Sequence, residues 1–347
     1  MPQLSDFDYF LPPECIAQDP AEPRDSSRLL VLNRSTGEIR HTVFREIGEY
    51  LTPGDLLVFN DTRVIPARLT ARKQGTGGKV EILLLRRLSP QMWEALIGGK
   101  HVRPGAALEL STAEAQAGPA DPVLAEVISD LGESRRVVRF SRPVTPELAT
   151  LGSTPLPPYI HKALEDPERY QTVYARDPGS AAAPTAGLHF TPELIAALRA
   201  CGVRTAFVTL HIGLDTFAPI TEENVEAHSI HAEWISVPEE TAQAARETRA
   251  QGRRVVAVGT TSVRALETAA VSAGSPAAFE GDTRLYITPG YRFRATDALI
   301  TNFHLPRSTL LVMVSAFAGR ERILATYEAA RRAGYRFYSF GDAMFIL

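Results

Sequence analysis

Three histidines stand in loops whose neighbours fix the backbone. His189 closes "APTAGLHF", residues 183–190, where proline, threonine and glycine shape a turn directly ahead of a helix. His211 in "TLHIGLDTFAP" follows a β-rich run and precedes Gly213. His304 shares "ITNFHLPRSTL" with Asn302, in a Pro-containing loop before a helix that Ser308 can cap. Imidazole is the side chain best suited to moving protons near neutral pH. One such histidine is more often structural than catalytic. Three of them in three shaped loops set proton transfer level with a structural role.

A fourth stretch, "VGTTSVRALE", ends a buried-looking strand at Gly259 and offers the hydroxyls of Thr260, Thr261 and Ser262, with Arg264 close by. Free N–H groups at the start of the following helix make a cradle for a carboxylate or phosphate. Plain capping by Thr261 or Ser262 is the competing reading. "EAHSIHAEW" spaces His228 and His231 for a metal on a helix, beside Glu226 and Glu233. No third ligand of matching pattern accompanies them, so no metal is expected. Dinucleotide, P-loop and G-x-S-x-G signatures are missing. "GTGGKV" has Val80 where a P-loop needs Ser or Thr.

These loops need elements to hold them. After residue 150 strands and helices alternate: "TPELIAALRACG" reads as a helix with Thr191 as N-cap and Gly202 as stop, then the strand "VRTAFVTL", the helix "PEETAQAARETRAQG", the strand "RRVVAVG", the helix "ERILATYEAARRAG" and a closing strand "YRFYSF". With "RLLVLN" and "DLLVFN" from the opening segment, this predicts an α/β domain on a largely parallel sheet. In such sheets ligands bind outside the carboxyl ends of the strands, where His211 falls by pattern. Between lie six β-rich runs, "ARLTARK", "KVEILLLRRL", "MWEALIG", "AALEL", "VLAEVISD" and "SRRVVRFS", separated by turns such as "RPG". They read as a small antiparallel β-barrel inserted into the α/β domain. The expected division is 1–66 with 151–347 as a discontinuous α/β catalytic domain, and 67–150 as the inserted barrel.

The whole chain sets bounds. Its 347 residues, 44% hydrophobic and 22% charged, are those of a soluble globular protein of two or three domains. Cys15 and Cys201 make neither a disulfide framework nor a zinc spacing, the N-terminus is no signal peptide, and the longest apolar run falls short of a membrane span. A cytoplasmic protein is expected. Net charge is −3, yet residues 63–87 carry seven basic side chains against Glu81 alone, and "SRRVVRFSR" adds Arg135, Arg136, Arg139 and Arg142. Local basic surface on an acidic protein suits contact with part of a polyanion, although solvated strand faces give the same pattern.

Several strings together resemble one family. "FDYFLPPECIAQDPAEPRDSSRLLVLNRSTGEI", "PGDLLVFNDTRVIPARL", "LPPYIHKALEDPERYQTVYARDPGSAAAPTAGLHF", "VAVGTTSVRALE" and "PGYRFRATDALITNFHLPRSTLLVMVSAFAGRE" are similar to the S-adenosylmethionine:tRNA ribosyltransferase-isomerase family of queuosine synthesis. The resemblance runs from Asp6 to the end and is weakest over 98–150. It implies an α/β domain with an inserted barrel. It also implies transfer and isomerisation of the ribosyl part of S-adenosylmethionine onto 7-aminomethyl-7-deazaguanine at the tRNA wobble position, giving epoxyqueuosine and releasing adenine and methionine. S-adenosylmethionine is then a co-substrate and no further cofactor is needed. The expected partner is the anticodon stem-loop of tRNA, with a monomeric protein and no membrane.

On that resemblance, His189, His211 and His304 share the proton transfers, and Asp61 shapes the site. Arg63, Thr185, Gly187, Thr260, Thr261, Ser262, Arg264 and Asn302 are expected to bind substrate, and Tyr159 or Tyr291 to stack on the flipped base. Basic residues of 63–87 and 135–142 would follow the anticodon-stem phosphates. Asp215 and Ala218 depart from a glycine and an arginine expected in the family, which leaves a role for Arg264 or Arg292. That departure motivates a rival, an RNA-binding protein that kept the fold and lost catalysis. A nucleosidase or glycosidase acting on free small molecules is a third reading, and it leaves the basic clusters without purpose.

Overall fold

The computed structural model describes residues 2–111, 121–132, 134–162, 164–213 and 220–347. Asp215 and Ala218 lie outside the described residues. The chain forms two compact units: Met1–Thr62, Pro158–Asp177 and Ala183–Leu347 make the first, and Arg63–Pro157 with Pro178–Ala182 make the second.

The first unit is built on a nine-stranded sheet in the order Phe279–Thr283, Glu233–Val237, Arg204–Leu210, Leu56–Asn60, Val255–Val258, Ala298–Asn302, Ala343–Ile346, Arg28–Leu32 and Ile39–Val43. The four strands from Arg204–Leu210 to Ala298–Asn302 are mutually parallel. They are short apolar runs, and Leu56–Asn60 and Val255–Val258 are buried throughout, as strands covered on both faces must be. The sheet is mixed, with these parallel strands at its centre. Glu233–Val237 and Phe279–Thr283 are antiparallel to their neighbours on one side, and Ala343–Ile346 runs antiparallel to Ala298–Asn302. A single crossover helix returns the chain for a parallel strand. Here two helices packed on one another, Thr309–Ala318 and Arg320–Arg332, bring it back from the other end.

One face of the sheet, with Leu57, Phe59, Val256, Val258 and Ile300, packs against Phe44 and Ile47 and against Phe190, Leu194 and Leu198. The last two belong to the helix Pro192–Ala200, whose Thr191 cap accepts the Leu194 N–H at 3.1 Å. Helices Glu239–Ala250 and Thr260–Ala273 pack on the central strands. The "YRFYSF" run is not the closing strand. Tyr338 has φ of +76°, and a Cβ on Gly341 would lie 2.4 Å from the Arg336 carbonyl oxygen, so the chain turns on itself there and the strand begins at Ala343.

The second unit is a closed six-stranded antiparallel barrel. Arg68–Lys73, Lys79–Arg87, Met92–Gly98, Arg135–Phe140, Leu124–Gly132 and Ala107–Ser111 pair in that order, and the last pairs back to the first. Closure removes the exposed sheet edge. Alternate side chains, among them Leu69, Val80, Ile82, Trp93, Ala95, Val127 and Val138, fill the interior. The arginines of 135–142 do not form an open basic stripe. Arg135 pairs with Glu94, Arg136 with Asp130 at 2.6 Å, Arg139 with Glu126 at 2.6 Å and Arg142 with Glu147 at 2.6 Å.

Candidate active site at the strand carboxyl ends

Each of the four parallel strands delivers polar residues at its carboxyl end. Leu56–Asn60 leads into Asp61 and Thr62, Arg204–Leu210 into His211, Val255–Val258 into Gly259 and Thr260, and Ala298–Asn302 into His304. The buried Asn60 carboxamide fastens two of these ends. It donates to the Leu210 carbonyl at 3.0 Å and accepts the N–H groups of Leu210 and Thr62 at 3.0 and 3.1 Å. A cleft of about 500 Å³, its open mouth included, is lined by Thr185, Thr260, Thr261, Asn302, His304 and Tyr338 among others.

Asn302 is the junction of the 183–190 loop with the sheet. Its Oδ1 accepts the Thr185 hydroxyl at 3.0 Å, and its Nδ2 lies 3.1 Å from His189 Nε2. An amide nitrogen only donates, so His189 Nε2 accepts. The ring proton then sits on Nδ1 and is given to Ser27 Oγ at 2.8 Å. His189 is buried, stacks on Phe44, and is held neutral. Burial first, then the positive charges of Arg336 and Arg24, lower its pKa to about 3. Both ring nitrogens are engaged, so the imidazole is fixed in orientation and tautomer.

His304 faces the same cleft under different constraints. Its Nε2 is 2.9 Å from Thr301 Oγ1, its N–H is donated to the Tyr327 hydroxyl at 3.1 Å, and its carbonyl accepts the Tyr9 hydroxyl. Nδ1 makes no hydrogen bond among the described residues. Burial lowers this pKa to about 3 as well. Next to it the helix Thr260–Ala273 starts from Gly259, at φ +90°, without any side-chain cap. Ser262 Oγ donates instead to the Val258 carbonyl at 2.8 Å. Thr261 Oγ1 is buried on the cleft wall with no hydrogen-bond partner among the described residues. A buried hydroxyl without a partner is costly to the fold, and together with the uncapped N–H groups it gives an acceptor-seeking surface suited to an anion.

His211 does not line this cleft, although its neighbour Ile212 does; it is half-buried and stacked on Trp234, with Nδ1 2.8 Å from Thr62 Oγ1 and Nε2 3.9 Å from an Asp177 oxygen. Burial lowers its pKa, while the negative charges of Asp177 and Asp61 work against that. Asp61 is itself only 2% exposed. Burial raises its pKa, opposed by the Thr209 hydroxyl and Arg176, each at 2.7 Å.

Several residues singled out from sequence stand elsewhere. Arg264 is buried in an ion pair with Glu233 and does not line the cleft, and burial lowers its pKa to about 10. Glu233 also accepts the Gly213 N–H at 3.1 Å, so the pair braces the chain after His211. Tyr291 reaches Glu267 at 3.2 Å, and Tyr159 bonds Ser339 at 2.5 Å. Neither ring lines the cleft, whereas Tyr338, packed edge-on against Tyr159, does. Gly187 is a packing position: a Cβ there would lie 2.0 Å from the Tyr174 hydroxyl. Arg63 belongs to the barrel unit. His228 pairs with Glu222 at 2.8 Å in a 3-10 turn and extended chain rather than a helix. Sequence reasoning missed Ser27, Asn60, Thr301 and Tyr338. Of these, Thr301 and Asn60 had a local signal, the first inside an already suspect loop and the second directly before Asp61.

Fold and site together define an α/β enzyme whose polar groups gather at the carboxyl ends of parallel strands, with an all-β barrel in the same chain. The chain belongs to the queuosine biosynthesis protein family, whose model matches residues 4–346. It is 53% identical over the full length of both chains to the S-adenosylmethionine:tRNA ribosyltransferase-isomerase of Thermus thermophilus. It is 51% identical to the protein of that name from Acetivibrio thermocellus, over 99% of each. The crystal structure of S-adenosylmethionine tRNA ribosyltransferase from Thermotoga maritima is similar at 43% identity and a TM-score of 0.57, over 99% of this chain and 100% of that one. The chain is accordingly a transferase of queuosine synthesis.

Proposed function

We propose that this enzyme transfers and isomerises the ribosyl moiety of S-adenosylmethionine onto 7-aminomethyl-7-deazaguanine at the wobble position of tRNA, giving epoxyqueuosine in the anticodon stem-loop with release of adenine and methionine. It acts as a cytoplasmic monomer with no cofactor beyond its co-substrate, and the barrel of 67–150 is an insertion in a catalytic domain of 1–66 and 151–347. The observation that carries the reading is the convergence of His304, Asn302, Thr260 and Thr261 on one cleft at the strand carboxyl ends.

The sulfonium acidifies the ribose carbon bonded to it, so the reaction opens with removal of a proton there. His211 is suited to this step: it is oriented by Thr62, and two carboxylates sustain its basicity against burial. Neutral His304, with Nδ1 unengaged, holds the departing adenine by a hydrogen bond. His189 acts through Asn302, fixing the carboxamide that faces substrate. The methionine carboxylate takes the uncapped N–H groups at Thr260 and the Thr261 hydroxyl. Tyr338 replaces Tyr159 and Tyr291 as the ring on which the flipped base stacks.

The test incubates an anticodon stem-loop carrying 7-aminomethyl-7-deazaguanine with S-adenosylmethionine and protein, following adenine release and RNA mass together. Adenine together with RNA of epoxyqueuosine mass is expected. RNA binding with neither product would overturn the reading in favour of a binding protein.

A further inference from the structure

The barrel sorts the basic residues of the sequence into two kinds. Arg68, Arg86, Arg135, Arg136, Arg139 and Arg142 each have an acid partner within 4 Å. At the end formed by the hairpin turn 74–78 the pattern reverses. Arg72 and Lys79 face one another across the strand pair, like charges set directly opposite, an arrangement that works against the sheet. Lys73 Nζ donates to the carbonyls of Lys100 and His101, the latter at 3.2 Å, which holds the 99–103 turn beside the hairpin. A Cβ on Gly99 would lie 3.4 Å from the Lys79 carbonyl oxygen, so the two turns are in contact.

Among the described residues Arg72, Lys73, Lys79 and Lys100 have no ion pair. Glu109, across the strand from Arg72, bonds none of them, and Glu81 is taken by Arg68 at 3.7 Å. The turn that carries them has glycines in the left-handed region at 75 and 77, and a Cβ on either would meet nothing within 4 Å. The surface there is open, lightly furnished with side chains, and positive. Four gathered cations without an ion pair, of which only Arg72 has an acid, Glu109, opposite it in the sheet, stand on a barrel that pairs six of its other arginines, and they call for an external polyanion.

We propose that this end of the barrel, through Arg72, Lys73, Lys79 and Lys100, docks the phosphate backbone of the tRNA substrate. The inference rests on the transferase reading above for its choice of polyanion. Phosphate contacts position the RNA and carry no sequence information, so these residues set affinity and leave the identity of the modified base to the cleft.

The test uses the full-length protein and a tRNA carrying the acceptor base, with binding measured from 0.05 to 0.3 M salt. The double variant Lys79→Gln, Lys100→Gln is compared with wild type and with Arg139→Gln, whose partner is Glu126. Removing two phosphate contacts lowers the magnitude of the log Kd against log salt slope by about 2 and raises Kd about tenfold or more near 0.1 M salt. Arg139→Gln is expected to leave both unchanged. A double variant with wild-type Kd and slope would overturn the docking surface. Loss of adenine release by wild type would overturn the transferase reading instead, and the binding curves would still report on this surface.

Discussion

At the scale of single residues, groups placed to meet substrate differ from groups that hold them. Thr261 is the sharpest case, because its buried hydroxyl has no partner among the described residues. Thr261→Val keeps the shape and removes the orphan. Its melting temperature is expected to equal or exceed that of wild type, while KM for S-adenosylmethionine rises roughly tenfold to a hundredfold, the worth of a hydrogen bond to a charged group. A lower melting temperature with unchanged KM, from thermal unfolding and steady-state kinetics, would remove Thr261 from the site. Local sequence made the threonines and histidines legible, since turn formers around a functional side chain can be read within ten residues. Ser27 was not legible: its partner is His189, 162 positions away, and only the fold sets them 2.8 Å apart. Arg264 misled for the same reason, because Glu233 reaches it across the fold.

At the scale of elements, periodicity and capping carried the reading where local rules decide. The six barrel strands and the Thr191-capped helix follow from alternation and turn chemistry. The closing strand was displaced because no alternation rule anticipates Tyr338 in the left-handed region or the tight fold at Gly341. The 183–190 segment shows how an element governs the site. Gly187 lies so close to Tyr174 that Gly187→Ala must shift the loop, moving Thr185 and His189 off Asn302. A loss of about 1–3 kcal/mol in stability is expected from overpacking, with a larger proportional loss of turnover. Adding Tyr174→Phe, which removes the hydroxyl in contact, should restore part of both. A double variant no better than Gly187→Ala in denaturant titration and turnover would show that the glycine serves something other than this contact.

At the scale of the whole molecule, the balance of charge is where composition says least. The net −3 and the basic stretches were plain from sequence, but which arginines are neutralised depends on pairs such as Arg135 with Glu94, formed only when the barrel closes. Stability against pH is a second whole-molecule property. His189 and His304 are held near pKa 3 in the fold against 6.5 unfolded. Between those values the unfolded chain binds protons that the folded one refuses, so their contribution is complete above pH 6.5 and is lost as pH falls toward 3. Denaturant midpoints at pH 7.5 and 5.0 should therefore drop less in His304→Gln than in wild type, and an equal drop would contradict the buried neutral ring. The proposed function puts ribosyl transfer in the cleft organised by Asn302. Single-turnover adenine release by Asn302→Ala, with its melting temperature checked against wild type, tests that most directly. A folded protein with release slowed at least about a hundredfold is expected, as when an organising polar donor is removed from an active site. Release at the wild-type rate by that variant would place the chemistry elsewhere.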